Sequence, residues 1–250
     1  MSRLDEGGSR MVAGDQTEGV PARSVPPVSR PGIAVTKFDA LAASYEHSSL
    51  QPILYVPAQQ RVLQLAQRLL PRPGRILDVG CGTGRLLRKA RQQHPAAMLV
   101  GVDVAWAMVA TAAAASPPEL AIRHLRAAAE RLPFAASAFD LVVATMALRH
   151  WNDMAAGIGE INRVLTRGGV LVVADLFPTC PRPRPPLAMP WRRRDAGMPA
   201  GELANVLAAH GLRVVACQRM PWIGLPDLQI LAAQKPLCPH PRQRRYRRLP

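Results

Sequence analysis

Apolar positions along this chain follow two alternating rhythms. Short continuous apolar runs, Arg75 to Val79, Leu99 to Asp103, Ile122 to Arg126, Leu141 to Thr145 and Val170 to Asp175, have the length and make-up of strands buried on both faces. Between them, near 85–93, 106–115 and 154–165, the period lengthens to that of helices. An earlier helix follows Pro57, with Val62, Leu65, Ala66 and Leu69 on one stripe, and stops at Pro71. Strand and helix in alternation predict a doubly wound α/β fold around a mostly parallel sheet. The last two runs, Leu212 to Gln218 and Leu228 to Ala233, are separated by Pro221, Trp222, Gly224 and Pro226, with no room for a crossover helix. They are expected to pair antiparallel, giving seven strands with an antiparallel last one.

The flanks behave differently. Residues 1–35 are rich in Gly, Ser, Pro and Arg and short of large apolar groups, and are expected to form a disordered leader. One domain is expected over 36–235, with an N-terminal helical lid at 36–70 and an acceptor-side loop at 178–199; 236–250 is expected to be a basic, disordered tail. No run is long and uncharged enough for a membrane helix, and the leader carries four acids in place of a signal-peptide apolar run. Four scattered cysteines without His partners at metal spacing predict neither a metal site nor a disulfide framework, which fits a cytoplasmic protein.

The net charge of +15 invites a nucleic-acid reading until its position is considered. Ten arginines fall in two acid-free stretches, Arg182 to Arg194 and Arg242 to Arg248, leaving 22 basic and 17 acidic residues elsewhere. The domain itself is only mildly basic, and nucleic acid is not the expected partner.

Chemistry is concentrated in Ile76-Leu-Asp-Val-Gly-Cys-Gly-Thr-Gly-Arg-Leu-Leu87. A buried strand runs into Gly80, Gly82 and Gly84 and then into a helix, a turn in which backbone must lie close to a ligand. Asp103 ends the next strand, 19 residues after Gly84, where a carboxylate accepts both hydroxyls of a ribose. A dinucleotide loop spaces its glycines GxGxxG beneath an anionic pyrophosphate. Here the spacing is GxGxG, and Asp78 stands two residues before the first glycine. A carboxylate there repels pyrophosphate and attracts the ammonium and sulfonium of S-adenosylmethionine, which disfavours a nicotinamide oxidoreductase.

Leu77-Asp-Val-Gly-Cys-Gly-Thr-Gly84 and Gly101-Val-Asp-Val104 resemble the first two motifs of the class I methyltransferases, which have a Rossmann-like fold. Ala129-Glu-Arg-Leu-Pro-Phe134, Ala138-Phe-Asp-Leu-Val-Val143, His150-Trp151 and Glu160-Ile-Asn-Arg-Val-Leu165 follow in the order seen in the small-molecule enzymes resembling those of ubiquinone and menaquinone biosynthesis. The resemblance implies S-adenosylmethionine as cofactor. It places Gly80, Gly82 and Gly84 under the methionine moiety and Asp78 near its ammonium. Asp103 would hold the ribose, Val104 and Met108 would pack on ribose or adenine, Ala129 and Glu130 would lie along the adenine edge, and Thr145 would open toward the sulfonium. The chain departs from the family at Ala128, where an acidic residue usually holds the adenine amino group.

Methyl transfer asks chiefly for alignment and exclusion of water. Where the acceptor must lose a proton, His150, just past the fourth strand, is the first candidate base, because its unperturbed pKa of about 6.5 suits the task. Tyr45, with His47, comes next, from the segment that closes over the cofactor in the family. The acceptor is expected to be a small molecule; arginines of 178–199 would recognise it if it is anionic. Two alternatives remain: a methyltransferase-like regulatory or assembly protein, and a nucleic-acid methyltransferase. The second is opposed by Thr145-Met-Ala-Leu-Arg-His150 standing where a Pro-Pro-Tyr motif would be needed.

Overall fold

The structure is a computed structural model that describes residues 33–177, 200–220 and 227–237. The leader up to residue 32, the acceptor-side loop at 178–199 and the tail from 238 lie outside the described residues. Helix α1 (Ile33–Tyr45) begins within the segment expected to be leader, and a π-helical turn, Gln51–Tyr55, leads from it into α2 (Val56–Leu69). Strands and helices then alternate: β1 (Arg75–Val79), α3 (Arg85–Gln93), β2 (Met98–Asp103), α4 (Trp106–Ala114), β3 (Ile122–Arg126) and β4 (Phe139–Thr145). After α5 (Met154–Val164) and β5 (Leu165–Phe177), α6 (Ala200–Ala209) precedes β6 (Arg213–Met220) and β7 (Asp227–Gln234).

The seven strands form one sheet in the order β3-β2-β1-β4-β5-β7-β6. All pairings from β3 to β5 are parallel; β7 runs antiparallel to both β5 and β6. The expected fold class holds, including the antiparallel last strand.

Alternating side chains divide the core in two. Leu77, Val79, Val142, Ala144 and Leu171 pack with Ile158 and Ile161 of α5 and Leu203 and Leu207 of α6. Ile76, Leu99, Leu141, Val143 and Val172 pack against Val62, Leu65 and Ala66 of α2 and Leu86, Leu87 and Ala90 of α3. Because β1 alternates, Asp78 falls on the side of Ile76, under α2.

Two elements differ from expectation. Strand β5 starts at Leu165, five residues before the expected Val170, because Leu165 takes extended backbone at the end of α5 and pairs with Phe139. Helix α6 was not expected; it packs Leu203 and Leu207 into the core and stops before Gly211, whose φ is +78°.

The chain-order reversal of the sheet lies between β1 and β4, where α3 and α5 leave toward opposite faces. Open α/β sheets bind ligands in the crevice at such a point, beyond the carboxyl ends of the strands.

Candidate functional site

A cleft opens at that crevice, with about 850 Å³ of space between its walls including solvent at its mouth. Its lining brings together Gly80 and Gly82 after β1, Asp103 and Val104 at the end of β2, and Met108 on α4. Ala129, Glu130, Thr145 and His150 complete it from the loops beyond β3 and β4, and Tyr45 covers it from α1. Asp78 lies deeper, in a smaller chamber shared with Gln51, Gln59, Thr83 and Arg85. Tyr45, Tyr55, Gly80, Gly82 and Thr145 line both spaces and mark where they join. Gly84 lines neither. Its φ is +77° at the start of α3, and a Cβ there would lie 2.8 Å from His124 and 3.1 Å from Ala112, so this glycine serves the packing of the helix.

The loop is fixed from below. The Gly80 and Cys81 amides both donate to the Val102 carbonyl, at 2.8 and 3.0 Å. The Asp103 carboxylate accepts from the Gly82 amide through Oδ2 and from the Ala105 amide through Oδ1, each at 2.9 Å. Burial raises the Asp103 pKa, and the hydrogen bonds from Ala105, Gly82 and Val104 pull it back. Each carboxylate oxygen has a second lone pair, so both remain able to accept from a ligand.

Asp78 is 2% exposed, and burial, with the Asp103 charge adding to it, pushes its carboxyl up to about 8. In the described residues eight buried side-chain polar atoms have no hydrogen-bond partner, and five of them line the Asp78 chamber: Asp78 Oδ1, Thr145 Oγ1, Gln51 Oε1, Gln59 Oε1 and Arg85 Nε. Unpaired polar atoms are costly when buried, so such a concentration marks a place built for a polar ligand. The set offers mainly acceptors around one acid, with Arg85 on its border. It suits a cationic group with an anionic neighbour.

Helix α1 packs over one side of the cleft. On α1, Phe38, Ala42 and Tyr45 pack with Ala105 and Met108, and the Asp39 carboxylate accepts from the Ala107 amide at 2.8 Å. Past the helix, Glu46 pairs with Arg88 at 2.7 Å and Arg85 at 3.3 Å, tying the end of α1 to α3. Burial opposes ionisation of Glu46, but hydrogen bonds from Thr83 and Arg88 and the two arginine charges hold its pKa below the ordinary value.

The two residues expected to move protons part company here. His150 ends a 3₁₀ turn, Leu148–His150, with its ring edge-on to Phe38 at 4.8 Å on the cleft wall. Tyr45 has its pKa pushed well up, first by burial and then by Tyr55, whose ring lies 5.4 Å away. Burial disfavours the phenolate of Tyr45, which suits its hydroxyl to donating hydrogen bonds. Glu130 lines the cleft, and its Oε1 accepts the Asn152 and Asp153 amides at 2.6 and 3.0 Å, which anchors the start of α5. His47 is exposed and lines neither space.

Sequence reasoning missed the buried pair of Arg149, on the cleft wall, with Asp175 at the end of β5. It also missed Gln51 and Gln59, which bring amide oxygens to the chamber.

The sheet order 3-2-1-4-5-7-6, with a glycine loop beside Asp78 and Asp103 at the carboxyl ends of β1 and β2, is a Rossmann-like arrangement. Residues 77–173 match the family model described as a methyltransferase domain. It is 39% identical over 125 residues to a demethylmenaquinone methyltransferase of Thermus thermophilus, covering 50% of this chain and 56% of that protein. With a malonyl-[acyl-carrier protein] O-methyltransferase of Methylovorus it shares 33% over 147 residues, 56% of this chain and 49% of that one. The chain thus spans about half the length of these curated relatives. The crystal structure of an S-adenosylmethionine-dependent methyltransferase from Mesorhizobium loti superposes with a TM-score of 0.57 at 23% identity, over 68% of this chain and 96% of that one, a likeness of fold.

Proposed function

We propose that the chain is an S-adenosylmethionine-dependent methyltransferase acting on a small molecule, with one catalytic domain and α1–α2 as its lid. The observation that carries this reading is the Asp78 chamber: a buried carboxyl surrounded by unpartnered polar atoms and joined to a cleft that Asp103 lines. Asp78 would take the ammonium of the methionine end and Arg85 its carboxylate. Asp103 would hold the ribose, while Val104, Met108, Ala129 and the backbone beside Ala128 and Glu130 would flank the base. The bound cofactor supplies a methyl group already activated on a sulfonium, and the chain's part is to hold it at the junction where Tyr45, Gly80, Gly82 and Thr145 meet.

His150 is the group on the wall placed to take a proton from an acceptor that needs to lose one. The relatives' names include a quinone enzyme and one acting on an acyl-carrier-bound acid; we infer an acceptor within that range of small acids and phenol-like rings. No helix among the described residues is long and apolar enough to cross a membrane, and together with the cysteine pattern this supports a cytoplasmic location.

Calorimetric titration with S-adenosylhomocysteine and, separately, NAD tests the cofactor assignment. S-Adenosylhomocysteine is expected to bind at micromolar concentration and NAD not to bind. Asp103→Ala removes a charged acceptor for two ribose hydroxyls, worth about 3 kcal/mol, and is expected to weaken binding by roughly a hundredfold. Equal binding by the variant, or binding of NAD instead, would reject the assignment.

A further inference from the structure

Resting on the methyltransferase reading, we propose that Arg149, positioned by the buried Asp175, is the residue that recognises the methyl acceptor, and that the acceptor is an oxygen acid bound as its anion, a carboxylate or an acidic phenol or enol. Arg149 follows β4 by four residues and lines the main cleft with His150 and Thr145. Its Nη1 donates to Asp175 Oδ1 and lies 3.8 Å from the sulfur of Met146. No partner for its Nε or Nη2 occurs among the described residues, and neither atom is one of the buried unpartnered ones, so both are accessible on a residue that lines the cleft. Asp175 is 2% exposed and its Oδ1 also accepts its neighbour's amide from Leu176, at 2.8 Å, so the carboxylate holding the arginine is itself fixed. The Arg149 charge acts on the Tyr45 hydroxyl, which places the guanidinium close to the junction of cleft and chamber.

A cation there stands beside the place assigned to a sulfonium. Asp175 takes only the Nη1 side of Arg149, so an oxyanion held by the remaining edge of the guanidinium is attracted by it and by the sulfonium together. Such an acceptor arrives without a proton to lose. A lone pair of its oxygen forms the new O–CH3 bond while the electron pair of the breaking C–S bond stays on sulfur, leaving a neutral thioether and a neutral ester or ether. The product has lost the charge that held it to Arg149 and is released more readily than the substrate binds. His150 then serves this acceptor as wall, not as base.

4-Nitrophenol is the probe, because its phenolate absorbs visibly and its phenol does not. Titrated into protein saturated with S-adenosylhomocysteine at a pH below its own pKa, it is expected to bind as the phenolate, and benzoate is expected to bind and benzamide not. In Arg149→Gln the visible band is expected to vanish and benzoate affinity to fall at least tenfold, while S-adenosylhomocysteine binding stays within about threefold. Arg149→Lys, which keeps the charge, is expected to restore part of the band, and Asp175→Asn to weaken benzoate binding with the cofactor product still bound. Benzamide binding as well as benzoate, or a phenolate band unchanged in Arg149→Gln, overturns the proposal. Absence of S-adenosylhomocysteine binding in the wild-type protein overturns the methyltransferase reading instead. Among anions that bind, S-adenosylmethionine-dependent methyl ester formation on benzoate against methyl ether formation on 4-nitrophenol separates the carboxylate source from the phenol.

Discussion

Asp78→Asn is expected to abolish measurable S-adenosylhomocysteine binding and, in the same protein, to raise the melting temperature of the unliganded chain at pH 8. The two effects have one cause. Burial holds the Asp78 carboxyl at about 8 in the folded chain, well above its ordinary value of 3.8. With the folded pKa raised, the native state binds a proton that the unfolded state has released, so stability falls as pH rises from about 4 toward 8 and is level above that. Asparagine carries no charge to desolvate and escapes the loss. Its gain over the wild type is expected to be small near pH 4 and on the order of 5 kcal/mol at pH 8, roughly 10–20 °C in a domain of this size. Binding runs the other way, because an ammonium needs the ionised acid. Wild-type affinity is therefore expected to rise by up to about tenfold per pH unit from pH 6 to 8 and then level off. Thermal scans and calorimetry across pH 5–9 check both. A variant less stable than wild type at pH 8, or one that still binds, would show that Asp78 is a structural acid and not a ligand.

Why some of the site could be read in the sequence and some could not follows from chain distance. Asp78, Gly80 and Gly82 are one strand end and one turn, so their spacing is their geometry; Asp103 follows after a single crossover whose handedness is fixed. Arg149 and Asp175 are brought together by the parallel pairing of β4 with β5, which sets Thr145 beside Ala174 and so their following residues side by side. Nothing local in either segment announces the other. Gln59 did leave a signal. It falls on the buried stripe of α2 with Val62 and Ala66, three and seven residues on, and a polar side chain there needs a reason. Helix α6 left one as well in Leu203, Val206 and Leu207, masked by the proline-rich stretch before it. Glu130 could be placed on the cleft from sequence position, but the bonds from the Asn152 and Asp153 amides to its Oε1 are visible only in three dimensions.

Gly80→Ala is expected to damage fold and site together, and Ala147→Gly to repair part of the damage. At φ +79° any Cβ is strained, costing on the order of 1 kcal/mol. A Cβ at residue 80 would also lie 2.5 Å from the Ala147 Cβ, far inside contact distance. Ala147 cannot step aside easily, because the Met146 amide is bonded to the Ala174 carbonyl at 2.7 Å and the 3₁₀ turn that follows carries Arg149 and His150. Either the glycine loop or this turn must move, for a total loss of about 2–4 kcal/mol. S-Adenosylhomocysteine affinity is expected to fall at least thirtyfold, since Gly80 lies where cleft and chamber join. In the double variant the missing methyl relieves the collision but not the φ strain, so roughly 1–2 kcal/mol should return, with most of the affinity. Denaturant unfolding and calorimetry of the four proteins form the cycle. Strict additivity would mean that the two positions do not touch, and an unimpaired Gly80→Ala would mean that the loop does not approach the β4 turn that holds the acceptor side of the site.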